Sequence, residues 1–497
     1  MSAESTTQQR LVVGVTAGAA WIAGLFVAAP LVGGVGVNAL AEAVIVRSPG
    51  WLSTLAISTL GFYAKPALVA GVILGIICAT SVAALVWPTG FEYSRPVGVG
   101  VGVLATAAVF FASGTGISLG FLVGTVVAVV PPYLVARGAD QLRPVTDRRK
   151  FLRQTGSAAV GAVASLAVLR LLFARFGNRV ESERVEEPLG RSTSPPEGDP
   201  SFDFEGMPSA VTSTSDHYVI DINVTAPRID PESWALTIDG EVEQPYELGY
   251  DELLEHDAAV DQTTTMLCIS NQVGGDLIGT GHWTGVQLSD LVGDAVPNDG
   301  AVDVVTYAED GYNEAIPIDL IEREDILIAF GMNGQTLASE HGFPARLLIP
   351  GRYGMKMTKW INRIEVVAED HEAYWEARNW TEEAVINTMS YIRGATRDGE
   401  MVQIGGVAFA GLETGVEEVA GVEVSVDGGE TWTDAELEPQ IAPHAWRRWR
   451  HEFEEPDRVE LDVVVRAIHQ DGTVQTEEES SPRPNGSTGW HRRTIEI

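Results

Sequence analysis

Two kinds of hydrophobic patterning divide the chain. Residues 11 to about 175 carry few charges and long apolar runs, over roughly 11–34, 64–87, 97–116, 117–137 and 156–174, with a weaker one at 51–62 suited to an interface. Each of the five approaches the ~20 residues a membrane-crossing helix needs, so the pattern predicts an N-terminal α-helical transmembrane bundle of about five helices over 1–175. Residues 176–212, with Ser192-Thr193-Ser194-Pro195-Pro196-Glu197-Gly198-Asp199-Pro200, lack apolar periodicity and read as an exposed linker. Beyond that, short β-like runs such as 234–238 and 345–350 alternate with short helical stretches such as 250–255, an α+β texture over 213–385. From 386 to 497 the period becomes two. Residues 422–426 alternate and turn at Asp427-Gly428-Gly429, and 461–468 run into Gln470-Asp471-Gly472, which predicts a β-sandwich.

Charge sharpens this division. The net charge is -35, from 68 acidic and 33 basic residues, and lysine occurs only at 65, 150, 356 and 359. Acid excess with so little lysine suits a halophilic, archaeal source, where salt screens self-repulsion and carboxylates keep the surface hydrated. Disorder is excluded by a 45% hydrophobic content and 12 Trp. Nucleic acid is excluded as a partner, because a polyanionic surface repels phosphates. Between the fourth and fifth apolar runs stands Arg148-Arg149-Lys150-Phe151-Leu152-Arg153, readable as an internal twin-arginine signal or as a basic stop-transfer flank. Either reading keeps that loop inside, so the expectation is a multi-pass cell-membrane protein with a cytoplasmic N-terminus and an extracellular catalytic domain. No histidine precedes His217, so the bundle lacks the paired histidines of a b-type haem, and no haem is expected.

The candidate chemistry centres on a thiol. Of two cysteines, Cys78 lies in an apolar run and Cys268 in the polar half, so a disulfide between them is implausible. Most lone cysteines are buried and structural; a soft-metal ligand or a nucleophile is the alternative.

Four blocks change those odds: Asp216-His217-Tyr218; Met266-Leu267-Cys268-Ile269-Ser270-Asn271 with Trp283-Thr284-Gly285; the long ordered stretch 332–361, containing His341-Gly342-Phe343-Pro344-Ala345-Arg346 and Lys356-Met357-Thr358-Lys359; and the C-terminal region. Over 213–497 the chain resembles the sulfite oxidase family of molybdenum enzymes. The resemblance implies a molybdopterin-binding oxidoreductase domain over 213–385 and an immunoglobulin-like dimerisation domain over 386–497, hence a homodimer. It implies one molybdenum–molybdopterin per chain, with Cys268 as the thiolate ligand of the metal. Cofactor contacts carried over are Ser215, Tyr218, Val219, Asp310, His341, Arg346, Met357, Thr358 and Lys359. Arg346 suits a forked grip on phosphate and Lys359 a point charge.

Departures from the family pattern bear on the substrate. Family arginines that hold a dianion map to Ile220 and Val273, the family's catalytic tyrosine maps to Trp380, and a further arginine falls near Arg483. Losing guanidinium groups from a partly dry pocket removes most of the stabilisation of sulfite. The expected activity is oxygen-atom transfer to or from a small, weakly charged sulfur substrate, with an external electron carrier. Sulfite oxidation in an anion pocket rebuilt on Lys356 is the alternative, and a non-catalytic molybdopterin-fold binding protein is a reading of another class.

Overall fold

The computed structural model describes residues 185–223, 226–323, 325–411, 419–455 and 460–496, and before them 11, 14–25, 41, 44, 64–86, 105, 106 and 125. The chain divides into two units, Met1–Glu181 with Ile222–Arg228, and Ser182–Asp221 with Ile229–Ile497.

In the first unit the longest described helix is α1 (Ala64–Val86). Lys65 and Pro66 occupy its first turn, and Thr80 and Ser81 turn their hydroxyls back to the carbonyls of Ile76 and Ile77. Among the described residues no helix is long and apolar enough to cross a membrane. This overturns the expected N-terminal transmembrane bundle, and with it the multi-pass membrane placement that set a cytoplasmic N-terminus and an extracellular catalytic domain. Hydropathy along a chain measures apolar density, whereas a span requires that density within one continuous helix that satisfies its own backbone. The twin-arginine-like stretch 148–153 lies outside the described residues.

The second unit is mostly sheet. Its first part holds β1 (Ala235–Gly240), β2 (Tyr246–Gly249), β3 (Ala259–Leu267), β4 (Ile278–Gln287), β5 (Asp303–Ala308), β6 (Asn313–Pro317), β7 (Leu327–Met332), β8 (Gln335–Thr336), β9 (Arg346–Leu348) and β10 (Ile361–Val367). One sheet runs β2-β1-β10-β5-β6, and the other runs β3-β4-β7-β8 with β9 on β7. Short helices α2 (Tyr250–Leu254), α3 (Leu288–Ala295) and α4 (Ile318–Ile321) pack beside them. Their apolar faces close one core, including Leu236, Val286, Leu291, Ile316, Phe330 and Ile364. β4 is buried on both faces, so it lacks the alternation that would have marked it as a strand.

The second part is a two-sheet sandwich. β11 (Met389–Asp398), β12 (Met401–Phe409), β16 (Arg447–Glu454) and β15 (Glu436–Leu437) form one sheet. β14 (Thr433–Asp434), β13 (Val419–Ser425), β17 (Glu460–His469) and β18 (His491–Glu496) form the other. Inward residues of both, among them Ile404, Val424, Trp449 and Val465, make its core, the packing expected of facing sheets.

The segment expected as an exposed linker is largely exposed and is hydrogen-bonded to this unit from residue 185 onward. Glu187 accepts the Thr336 amide at 2.8 Å, Leu189 donates to Gly334, and Thr193 donates to the Asp261 carboxylate at 2.6 Å. Further along, the buried Arg448 guanidinium binds Glu438, Asp203 and the carbonyls of Asp199 and Pro208. Proline- and serine-rich composition hides such a segment, because its order comes from partners supplied by other strands. Arg448→Met is expected to lower stability by ~3 kcal/mol, since it leaves the buried Glu438 carboxylate unpaired; chemical denaturation checks it.

Candidate active site

Cys268 directly follows β3 and is 7% exposed. Its backbone N–H donates to Leu277 at 3.0 Å and its carbonyl accepts the Asn271 amide at 3.0 Å, so both sides of the residue are fixed. The thiol lies 3.0 Å from the Ser270 hydroxyl. Burial pushes the thiol above its usual range, against the Ser270 hydrogen bonds. The protein alone therefore keeps it protonated, and a bound metal is what would make it a thiolate. Among the described residues no group of three or more His, Cys, Asp or Glu could hold a metal ion. A metal at Cys268 would thus take its remaining ligands from a cofactor.

A second cluster is defined by buried polar atoms without partners: His217 Nε2, Tyr218 Oη, Trp283 Nε1 and Arg346 Nε. They belong to one connected group. The His217 ring stacks on Tyr218 at 5.2 Å and meets His341 and Trp283 edge-on at 5.6 and 5.9 Å, while Arg346 lies 5.2 Å over Trp283. Two glycines make the space: a Cβ at Gly279 would come within 2.8 Å of His217, and one at Gly281 within 2.7 Å of Trp283. Arg346, at the start of β9, donates to the His341 carbonyl at 3.1 Å, and burial draws its guanidinium down to about 10. Burial, reinforced by His341, holds His217 down to about 3. His341, lowered chiefly by burial, contacts the Thr214 carbonyl at 2.9 Å. Tyr218 Oη, Trp283 Nε1 and Arg346 Nε are donors, whereas the neutral His217 ring, with Nδ1 3.3 Å from the Tyr218 carbonyl, leaves Nε2 as an acceptor. Buried donors normally have acceptors, so the three donors suit a ligand rich in acceptors and negative charge.

The loop 355–359 lies beside these groups in sequence, and its two lysines behave differently. Lys359 donates to Asp221 at 2.9 Å and to the Glu340 carbonyl at 2.8 Å, and sits 4.4 Å over the Trp360 ring. Lys356 is clamped between two carboxylates, Glu314 at 2.6 Å and Glu376 at 2.8 Å. Burial works against the Lys356 ammonium, but the two acids outweigh it and hold it above the usual lysine range. Burial in turn pushes Glu314, which is fully enclosed, up to about 7. Thr358 is buried with its hydroxyl 2.7 Å from Thr306, its carbonyl accepts from Leu347, and the Met357 amide closes the turn on Gly354. Lys356→Met is expected to cost ~3–5 kcal/mol, because Glu314 would be left buried beside Glu376 without a counter-charge; thermal melts against a Glu314→Gln/Lys356→Met double variant, which should recover part of the loss, check this.

Ser215 is exposed and pairs with Ser213 at 3.1 Å, Val219 is exposed, and Asp310 caps the Tyr312 amide. Ile220 is exposed at the surface. Val273 and Trp380 pack on one apolar cluster with Leu267, Ile269 and Met355, so they flank the Cys268 segment. Trp380 meets Trp375 at 6.1 Å, and Arg483 donates to the Arg378 carbonyl. Sequence reasoning missed His217 and Trp283 as site members, although both stand inside the recognised blocks, and it missed Glu314 altogether. Only the small residues opposite, Gly279 and Gly281, carried a signal for the first two.

A molybdopterin fits these residues: its phosphate suits Arg346 and His341, its heteroatoms suit the orphaned donors, and a metal suits Cys268. Residues 223–375 match the model described as "Oxidoreductase molybdopterin binding domain", and residues 382–497 match "Mo-co oxidoreductase dimerisation domain". Mitochondrial sulfite oxidase of Mus musculus is 28% identical over 326 residues, 55% of this chain and 60% of that protein. A nitrate reductase [NADH] of Brassica napus is 26% identical over 331 residues, 53% of this chain and 36% of that protein. The chain thus spans about 60% or less of the length of these relatives. The sulfane dehydrogenase SoxCD structure from Paracoccus pantotrophus superposes with a TM-score of 0.52 at 23% identity, covering 64% of this chain and 89% of that one, a likeness of fold. The chain therefore belongs to the sulfite oxidase family of molybdopterin-dependent oxidoreductases, with molybdenum–molybdopterin as its cofactor.

Proposed function

We propose that this protein transfers an oxygen atom between molybdenum and a small, neutral sulfur substrate such as a sulfoxide, exchanging two electrons with a separate carrier protein. The bound cofactor supplies the oxo transfer and the redox change. The chain's own residues do the rest: Cys268 ligates the metal, Arg346 and His341 hold the anionic end of the pterin, and Tyr218, His217 and Trp283 offer hydrogen bonds to its heteroatoms. Loop 357–359 contributes backbone groups and Lys359, whose ammonium is paired with Asp221, with Ser215, Val219 and Asp310 as further contacts.

One observation carries the choice of substrate. The segment on either side of Cys268 belongs to an apolar cluster, with Val273 and Trp380 packed on Leu267, Ile269 and Met355, and the cation proposed for a rebuilt anion site, Lys356, is neutralised by Glu314 and Glu376. An apolar cluster and a neutralised lysine favour a polar but uncharged sulfur group over a dianion. Trp380 then acts as a packing wall with an indole N–H, in place of a proton-donating phenol. Steady-state assays of holoprotein at high salt test this. Turnover of methionine sulfoxide is expected to exceed that of sulfite by ~100-fold in kcat/KM, the scale of losing one charge-assisted contact to a dianion. Comparable or faster sulfite turnover would reverse the assignment. The match of 382–497 to a dimerisation domain supports a two-fold homodimer, which light scattering should show as twice the 53.3 kDa chain mass.

A further inference from the structure

We propose that the C-terminal sandwich positions the metal-ligand loop, with Arg393 as the positioning residue for Cys268. The inference rests on the reading of Cys268 as the metal ligand and goes beyond it, because the restraining groups are none of the residues assigned to the metal or the pterin.

Residues 268–277 form the loop between β3 and β4. Arg393, on β11 of the sandwich, reaches across to it: Nη1 donates to the Gly274 carbonyl at 3.0 Å and to Asp276 at 3.1 Å, and Nη2 donates to the Gly275 carbonyl at 2.7 Å. Its side chain is only 15% exposed, whereas Asp276 is 97% exposed. The guanidinium is thus held mainly by loop carbonyls, and burial lowers its pKa. Three more groups of the same domain converge on this loop. Ser487 donates to the Asn271 carbonyl at 2.8 Å, Asn271 Nδ2 donates to the Tyr391 hydroxyl at 3.4 Å, and the His491 ring abuts Gly274. The fit is close: a Cβ at Gly274, where φ is +78°, would lie 2.2 Å from His491 Nε2, and one at Gly275 would lie 2.4 Å from Asn271 Oδ1.

The loop passes this restraint to the cysteine. The Gly275 amide donates to Gln272, Asn271 Oδ1 accepts the Leu277 amide, the Asn271 amide donates to the Cys268 carbonyl, and the Cys268 amide donates to Leu277. A shift of 274–276 therefore moves the backbone bonds on both sides of Cys268. The β3 strand that delivers the cysteine is tied to the same domain, since Thr265 donates to the His444 carbonyl at 2.8 Å and accepts from the Trp446 amide at 2.8 Å. The metal ligand is thus built on one domain and restrained from the other.

Native-state alkylation of Cys268 in full-length, cofactor-free protein, read by mass spectrometry on the peptide that contains it, tests the clamp without requiring activity. Arg393→Met is expected to raise the iodoacetamide rate about tenfold, and Ser487→Ala or Tyr391→Phe about threefold each, as local opening becomes easier. Arg466→Met, on β17 of the same sandwich but bonded to Glu423 and stacked on Trp432, should leave the rate at the wild-type value. In the holoprotein, Arg393→Met should also shift the Mo(V) electron paramagnetic resonance signal. A wild-type alkylation rate and an unshifted signal in Arg393→Met would overturn the proposal, as would an equal rise in Arg466→Met. If Arg393→Met does not fold, wild-type rates in both Ser487→Ala and Tyr391→Phe would overturn it. Misassignment of the metal ligand would register differently, as molybdenum retained after Cys268→Ala.

Discussion

Protein carrying Cys268→Ala is expected to keep its fold and its pterin but to lose molybdenum, and its oxo-transfer rate should fall by roughly three orders of magnitude or more. The physical reason is the environment of the thiol. Burial raises its pKa and outweighs the hydrogen bonds from Ser270, so the free protein gains little from ionising it. The strong donor appears only when a metal compensates the charge, and no other described cluster of His, Cys, Asp or Glu could replace it. Removing one buried sulfur should cost only about 1 kcal/mol of stability, which separates loss of the ligand from loss of the fold. Elemental analysis and pterin fluorescence on the same preparation decide it. A molybdenum-to-pterin ratio equal to wild type would sink the assignment.

Arg346→Met should act in opposite directions on the two forms of the protein. In the cofactor-free chain Arg346 is a buried guanidinium with one hydrogen bond, to the His341 carbonyl, and an aromatic neighbour in Trp283. Replacing a poorly compensated buried charge by an apolar chain of similar reach is expected to leave stability unchanged or raise it by ~1–2 kcal/mol. Cofactor retention should fall at least tenfold, because a forked, charge-assisted grip on phosphate is lost. The measurements are the melting temperature of cofactor-free protein and the pterin content of protein from a cofactor-producing host. Normal pterin content would remove Arg346 from the site; a marked destabilisation of the cofactor-free chain would make its role structural.

Comparison of these two residues with Lys356 shows where sequence reading stops. Cys268, His341, Arg346 and Lys359 stand in contiguous blocks whose residue types declare their chemistry. Lys356 stands in the same block and invited the same treatment, as a cation available to a substrate. Its availability is decided by Glu314, which reaches it from β6, and by Glu376, from the turn after β10. Neither pairing leaves a local pattern. The same holds for His217, whose site role comes from stacking against Tyr218 and meeting His341 and Trp283, and for the 185–212 strap. The transmembrane expectation failed for a related reason: apolar density is a property of composition, while a crossing is a property of continuous structure.

The sequence by itself determined the family and the cofactor, because those depend on side-chain chemistry held at short, ordered spacing. Tertiary structure alone decided which candidate groups are ion-paired, which buried donors lack partners, and which strands hold the loop after Cys268. Burial and pairing are set by residues far apart in the chain that the sheets bring within 3 Å, and the free energy of a buried charge depends on those neighbours more than on the residue itself.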